Sequence, residues 1–130
     1  MALSQFIGLV TLVVPDYDQA IAWYCDKLGF ELVEDSPQGE GKRWVVVRPR
    51  GSQAGLLLAK AKGDAQQAAI GQQAGGRVFL FLNTDDFWRD YQAMAAKGVH
   101  FVEQPREEPY ATVVVFEDGF GNKWDLLQPK

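Results

Sequence analysis

The chain has 130 residues, of which 47% are hydrophobic and 23% are charged, a composition typical of a folded domain and not of a disordered chain. Its formal net charge is −4, which argues against duplex nucleic-acid binding, because that function requires a basic surface. No apolar run approaches the ~20 residues of a membrane span. The start of the chain has no basic region followed by a cleavage site, so we expect a cytoplasmic protein with neither a nucleic-acid nor a membrane partner.

Cysteine and histidine each occur once in the chain, as Cys25 and His100. A single cysteine excludes an intrachain disulfide framework and a cysteine-based zinc cluster. A single histidine excludes a histidine-pair metal site within one chain. Cys25 is predicted on an apolar helix face and His100 at the start of a strand, so we interpret both as structural residues.

The first predicted strand, Phe6–Val14, leads into a helix that Asp16 or Asp18 can cap. The apolar residues of this helix recur with helical spacing on one face, at Ile21, Tyr24, Cys25 and Leu28. Gly29 is predicted to end it. Three predicted strands follow, at Phe30–Glu34, Arg43–Arg48 and Gly55–Ala59.

A polar stretch rich in alanine, glutamine and glycine, Lys60–Gly76, is predicted as a linker. Beyond it lie a strand at Val78–Asn83 and a second helix, capped by Asp85 or Asp86 and ended by Gly98. The last predicted strands are Val99–Glu103, Thr112–Phe116 and Lys123–Leu127.

This order of elements indicates an internal repeat. Asp16 and Asp85 are 69 residues apart, as are Gly29 and Gly98. We therefore predict an α+β fold of two βαβββ repeats within a single domain, 1–130, with repeat 1 at about 5–59, the linker at about 60–76 and repeat 2 at about 77–128.

The chain resembles the vicinal oxygen chelate superfamily, which comprises glyoxalase I, bleomycin-resistance proteins and extradiol dioxygenases. It is most similar to the uncharacterised glyoxalase/bleomycin-resistance-like members. The resemblance covers nearly the whole chain and is carried by segments of both repeats: Leu12–Asp18, Ala22–Tyr24, Lys27–Phe30, Arg43–Val47, Thr84–Phe87, Lys97–Phe101, Phe116–Asp118 and Gly121–Leu127. It implies that the repeats form a cupped mixed sheet with the helices on its convex side, and that two half-sheets pair within a chain or across a homodimer.

The resemblance also implies where metal-using members hold a divalent cation, namely on the first and last strands of each repeat. Transferred to this chain, those positions are Leu9, Leu56, Val78 and Asp125, with Leu56 derived from Asp125 by the 69-residue offset. One carboxylate and three aliphatic side chains cannot supply the three or four ligands that such an ion needs. We therefore expect no metal and no other cofactor.

Strand alternation then assigns side chains to the concave face. In repeat 2, Val78, Leu80 and Leu82 are predicted to face the concavity, with Phe79 and Phe81 in the core. The predicted ligand-binding residues are Leu9, Thr11, Trp44, Arg48, Val78, Tyr110, Phe116, Lys123 and Asp125. Trp44 can serve as a stacking platform or as core. Asp125 can contact a ligand or act as a general base, or it can pair with Lys123 or Arg48.

Three classes of function are consistent with these expectations. The first is a metal-free binding or sequestration protein of the bleomycin-resistance type, whose small, partly aromatic and cationic ligand lies in an apolar cavity or dimer groove. The second is an enzyme, either a glyoxalase-like lyase or an extradiol-dioxygenase-like oxidoreductase, which the fold supports by analogy alone. The third is a member that has lost its chemistry and serves as an interaction partner. We expect a homodimer in each case.

Overall fold

A computed structural model describes residues 4–130 of the chain. The chain divides into two compact units, with the boundary between Ala68 and Ala69. Each unit contains one of the two predicted repeats, and the α+β class predicted from the sequence is confirmed.

The first unit contains strands β1 (Leu9–Val14), β2 (Glu31–Gly39), β3 (Lys42–Arg48) and β4 (Gly55–Lys60), with helix α1 (Tyr17–Lys27) after β1. They form a mixed sheet in the order β1-β4-β3-β2, in which β1 runs parallel to β4. Helix α1 packs against β2, β3 and β4. The side chains beneath it are buried, including Leu12, Val45 and Leu58.

The second unit contains strands β5 (Val78–Asn83), β6 (His100–Phe101), β7 (Arg106–Glu107), β8 (Ala111–Glu117) and β9 (Lys123–Pro129), with helix α3 (Phe87–Ala96) after β5. The sheet order is β5-β9-β8-β6, and β7 also pairs with β8. The short strands β6 and β7 lie on one edge of β8, where the first unit has the single longer strand β2. Helix α3 packs against β9.

Both long helices begin and end at the residues that the sequence predicts. The Asp16 side chain accepts a hydrogen bond from the Gln19 N–H at 2.8 Å, and Asp86 accepts one from the Arg89 N–H at 3.1 Å. These carboxylates satisfy N–H groups that have no partner within the helix. Gly29 and Gly98 follow the helix ends with φ values of 72° and 83°, a left-handed conformation that favours glycine.

The segment predicted as a linker contains a helix, α2 (Gly63–Ala69), which ends at the boundary between the units. Its alanine and glutamine residues are good helix formers, although their polar composition gave no amphipathic pattern to predict it. Strand β7 also lies in a segment for which the sequence predicts no strand.

Within residues 4–130, the structure contains no helix that is both long and apolar enough to cross a membrane.

Candidate ligand-binding site

The sheet of the first unit has one face covered by α1, and we call the opposite side the open face of that unit. Leu12 and Leu58 are buried under α1, so Thr11 and Leu57, their neighbours along the strands, point to the open face. The register pairs Val46 with Leu57 and thereby places alternate β3 residues on the same side. The four residues predicted in this unit all lie on the open face: Leu9, Thr11, Trp44 and Arg48.

Arg48, the last residue of β3, forms an ion pair with Glu31. Its Nε donates to Glu31 Oε2 at 2.9 Å, across the paired strands β2 and β3. Arg43, which lies on the α1 side, has acidic partners of its own: its Nη2 donates to Asp18 at 2.9 Å and to Asp35 at 2.7 Å. The Arg43 guanidinium thereby lowers the pKa of Asp35.

A cavity of about 900 Å³ lies at the end of this sheet, where the pairing of β3 with β4 stops. The paired register runs only from Val45 to Val47 of β3. Trp44 therefore stands beyond the last pair and lines the cavity together with Leu57 and Ala59 of β4. The other lining residues come from the start of α1, the end of β2, the turn into β3, the start of β3, the end of β4 and the segment after it: Tyr17, Gln38, Gly39, Glu40, Gly41, Lys42, Arg43, Leu58, Lys60, Ala61, Lys62 and Gln66.

The position derived for Leu56 is wrong by one residue. Leu56 is buried and pairs with Val47, on the side of the sheet that α1 covers. The connection from β8 to β9 is one residue shorter than that from β3 to β4. The counterpart of Asp125 is therefore Leu57, which is likewise aliphatic.

In the second unit, the side chains of Trp124 and Leu126 are buried, and the intervening Asp125 lies on the opposite, open face of that sheet. Lys123 shares this face and also lines a small cavity of about 130 Å³ near Asn122. Val78 pairs with Lys123. Tyr110 is exposed just before β8 begins.

The predicted orientation of Phe116 is wrong. Phe116 pairs with Trp124 in the register of β8 and β9, and its side chain is fully buried. The Phe116 ring stacks on that of Trp124, with the centroids 5.7 Å apart, and meets Phe101 edge-on at 6.2 Å. Phe116 is therefore a core residue of the second unit and not a lining residue of its open face.

The predicted faces of β5 are also wrong beyond Val78. The register of β5 against β9 shifts between Val78 and Leu80, because Phe79 is an extra residue there. Past this bulge, Leu80 pairs with Trp124 and Leu82 with Leu126, so both face the core. Phe81 instead points outward, with 63% of its surface exposed.

Asp125 lies in a perturbed electrostatic environment on the open face of the second unit. Its Oδ1 is buried and accepts no hydrogen bond from the described residues. Burial raises the pKa of Asp125. The positive charge of nearby Arg106 lowers this pKa, and the negative charge of Glu103 raises it further. Arg106 donates instead to Glu103 at 3.0 Å and to Glu108. Within residues 4–130, Lys123, a partner considered from the sequence, forms no ion pair with Asp125.

Substitution of Asp125 by asparagine is expected to stabilise the protein at neutral pH but not in acid. Because the folded pKa is raised above the ordinary value of 3.8, ionisation of Asp125 weakens the folded state as the pH rises through that pKa. Thermal unfolding should show equal stability near about pH 4 and a Tm higher by about 1–3 °C for D125N at about pH 7. The exposed Asp64→Asn variant is the control; an equal pH-dependent gain in D64N would contradict the assignment.

The residues at the positions implied for a metal ion do not fit a divalent cation. Leu9 and Leu57 in the first unit and Val78 in the second have no lone pair to donate, which leaves Asp125 alone. In the part of the chain that the structure describes, no three histidine, cysteine, aspartate or glutamate side chains come together in an arrangement that could hold an ion. A single carboxylate does not hold such an ion against water.

Cys25 of the first unit and His100 of the second are not among the residues that line the cavities described in their own units. Cys25 is partly buried on α1, and this burial raises the pKa of its thiol, which makes it a weak nucleophile. His100 is exposed at the start of β6, with its Nε2 3.7 Å from Glu117 Oε1.

Sequence reasoning missed the lysines of the cavity, namely Lys42, Lys60 and Lys62. Two of them fall in the segment interpreted as a linker, and Lys42 lies just before the predicted start of β3. The signal that could have found them is the pair Lys60 and Lys62 directly after an apolar strand that ends at a sheet opening.

Three comparisons relate the chain to known proteins. A family model described as "Glyoxalase/Bleomycin resistance protein/Dioxygenase superfamily" matches residues 6–126. An uncharacterised protein of Shewanella frigidimarina is 59% identical over 97% of this chain and 95% of its own length. The solved structure of TnmS3, described as an antibiotic binding protein from Streptomyces sp. CB03234, is 30% identical with a TM-score of 0.79 and covers 100% of this chain and 99% of its own. The structure of UcmS2 is 29% identical, with a TM-score of 0.83 and coverages of 96% and 98%.

Proposed function

Because the chain belongs to the glyoxalase/bleomycin resistance protein/dioxygenase superfamily, we propose that it binds and sequesters a small molecule without a metal ion. The observation that carries this proposal is the cavity of about 900 Å³ in the first unit, which has Trp44 as an aromatic wall. A volume of this size suits a drug-sized ligand. Apolar and aromatic side chains line it together with a similar number of polar and charged ones, so the cavity offers both an apolar surface and hydrogen-bonding groups.

Two further observations support a binding role. TnmS3, similar over the full length of the chain, is described as an antibiotic binding protein. In addition, the lyase and dioxygenase activities of the superfamily that depend on a divalent ion would need ligands that the implied positions do not provide. The expectation of a cytoplasmic location stays a prediction.

Titration of the EDTA-treated protein with planar aromatic compounds, followed by tryptophan fluorescence, tests this function. We expect binding with a Kd below about 1 mM that neither EDTA nor added zinc, nickel or iron changes. Replacement of Trp44 by alanine should weaken binding at least about tenfold, because it removes the stacking surface.

The matched control is Trp88→Ala, which removes a half-exposed indole from α3 in the second unit and should leave the affinity unchanged. Circular dichroism establishes that both variants are folded. Absence of binding across the compounds, or binding that requires an added metal ion, would overturn the proposed function.

We also propose that the protein is a homodimer. Several large apolar side chains are exposed in the isolated chain, among them Leu9, Leu32 and Tyr110. Exposed apolar groups next to strand edges are commonly covered by a second chain. Sedimentation equilibrium on the titration samples measures the mass and thereby tests the proposal.

A further inference from the structure

We propose that the cavity of the first unit selects an anionic planar ligand, which deepens the proposed function and rests on it. The inference comes from the charges that surround the cavity. It differs from the expectation of a cationic ligand that the net charge of −4 suggests, because the charge that a ligand meets is local.

Three lysines line this cavity, namely Lys42, Lys60 and Lys62. None of their ammonium groups forms an ion pair or a side-chain hydrogen bond within residues 4–130. By contrast, Arg43, which also lines the cavity, and Arg48 on the open face are both paired with acids. Among the basic residues that line the cavity, the three lysines are therefore those that form no ion pair with a carboxylate.

Three acids offset part of this positive charge. Glu40 lines the cavity, and the nearby Asp18 and Asp35 share the single charge of the Arg43 guanidinium, at 2.9 and 2.7 Å. With the three lysines and Arg43 on the other side of the balance, the net charge around the cavity is +1. A carboxylate, sulfonate or phenolate on a ligand would therefore meet a surplus of positive charge here.

The lysines and the aromatic wall come from different elements that meet at one point. Lys42 and Trp44 are two residues apart at the start of β3, whereas Lys60 is the last residue of β4 and Lys62 follows two residues later. The Lys62 N–H donates to Gln66 Oε1 at 2.8 Å, which fixes the turn into α2. Because the paired register of β3 and β4 has already ended, Lys42 and Trp44 line the opening from β3, and Lys60 and Lys62 line it from the end of β4 and the segment after it.

The aromatic surface available to the ligand is that of Trp44. The other aromatic lining residue is Tyr17. The Arg43 guanidinium lies 5.0 Å from its ring centroid, and its hydroxyl accepts a hydrogen bond from the backbone N–H of Arg43 at 3.1 Å. A ring stacked on Trp44 with an acidic substituent directed towards the cavity lysines, of which Lys42 lies on the same strand face as Trp44, satisfies both features of the cavity.

Three probes that share one ring system test this selectivity: 9-anthracenecarboxylate, the neutral 9-anthracenemethanol and the cationic 9-(aminomethyl)anthracene. At low salt, the carboxylate should bind at least about fivefold more tightly than the neutral compound, and the cation most weakly. Raising the ionic strength to about 0.5 M should remove most of this preference, because salt screens exposed charges.

The double variant K60Q/K62Q should weaken carboxylate binding about fivefold while changing the affinity for the neutral alcohol less than twofold. The matched control R50Q/K97Q changes the net charge equally at exposed residues outside the cavity, and it should change neither affinity more than twofold.

The two proposals fail differently in this experiment. If none of the three anthracenes binds, the proposed function is overturned together with the selectivity. If all three bind with equal affinity, or if the control variant weakens the carboxylate as much as K60Q/K62Q does, the binding function stands and the selectivity for anions is wrong.

Discussion

Replacement of Phe116 by alanine is expected to destabilise the protein by about 3–5 kcal/mol, the usual cost of removing a fully buried phenylalanine. The Phe116 side chain is fully buried and lies between Trp124 and Phe101. Alanine would leave a cavity between these rings that β8 and β9, paired on both sides of the site, cannot easily close. Urea unfolding at 25 °C measures the loss.

The matched control for Phe116 is Phe81, a phenylalanine on the opposite face of the same sheet. Its ring is 63% exposed, so Phe81→Ala should change the free energy of unfolding by less than about 1 kcal/mol. Phe116→Leu, expected to cost about 1–2 kcal/mol, keeps the comparison measurable if the alanine variant does not fold. Equal losses at positions 81 and 116 would contradict the assignment of faces in the second unit.

Replacement of Asp118 by alanine is expected to cost about 3 kcal/mol, because it leaves several buried donors without an acceptor. The Asp118 carboxylate is buried and organises the turn between β8 and β9. It accepts the N–H groups of Phe120 and Asn122 at 3.0 Å, and at 3.1 Å both the Asn122 side-chain amide and the Trp124 indole N–H. The measurement is again urea unfolding.

The comparison variant for Asp118 is Asp85→Ala, which removes an exposed acid that pairs with Arg89 at 3.0 Å on the surface. Exposed pairs of this kind contribute little, so D85A should lie within about 0.5 kcal/mol of the parent protein. Asp118→Asn should be intermediate, because an amide keeps one oxygen acceptor but directs an NH₂ at donors. A loss at Asp118 no larger than that at Asp85 would show that the turn does not depend on the carboxylate.

Much of the fold was predictable because the two repeats keep their spacing. The 69-residue offset relates β1 to β5 and β3 to β8, residue for residue at their ends. The helix caps were predictable for a local reason: Asp16, Asp86, Gly29 and Gly98 each act on the backbone next to them. Such signals do not depend on how distant parts of the chain pack.

The predictions that failed depend on single-residue changes of register, which composition does not reveal. The face of Phe81 was reversed by one bulge, and the position of Leu56 was shifted by one residue in a connecting loop. Because strand alternation has a period of two, an error of one residue moves a side chain to the other side of the sheet. Which side chains of β3 lie on the open face could likewise be determined only from the pairing of β3 with β4. This pairing places Trp44 and Arg48 on the open face.

The candidate site was predictable only in its aromatic part. Trp44 stands out in the sequence as an indole in an apolar strand, whereas the role of the lysines depends on where pairing between β3 and β4 ends. That point is a tertiary property, and neither hydrophobic periodicity nor spacing within the chain reports it.

The extra residue in β5 affects how the two repeats should be aligned when one of them is used to infer the ancestry or the mutational tolerance of the other. Leu12 and Phe81 correspond through the 69-residue offset, yet the side chain of Leu12 is fully buried and that of Phe81 is largely exposed to solvent. An alignment of one half on the other without a gap would therefore equate an interior site with a surface one. Substitution tolerances measured at Leu12 cannot be carried over to its counterpart, and a gap at Phe79 restores a comparison of like with like.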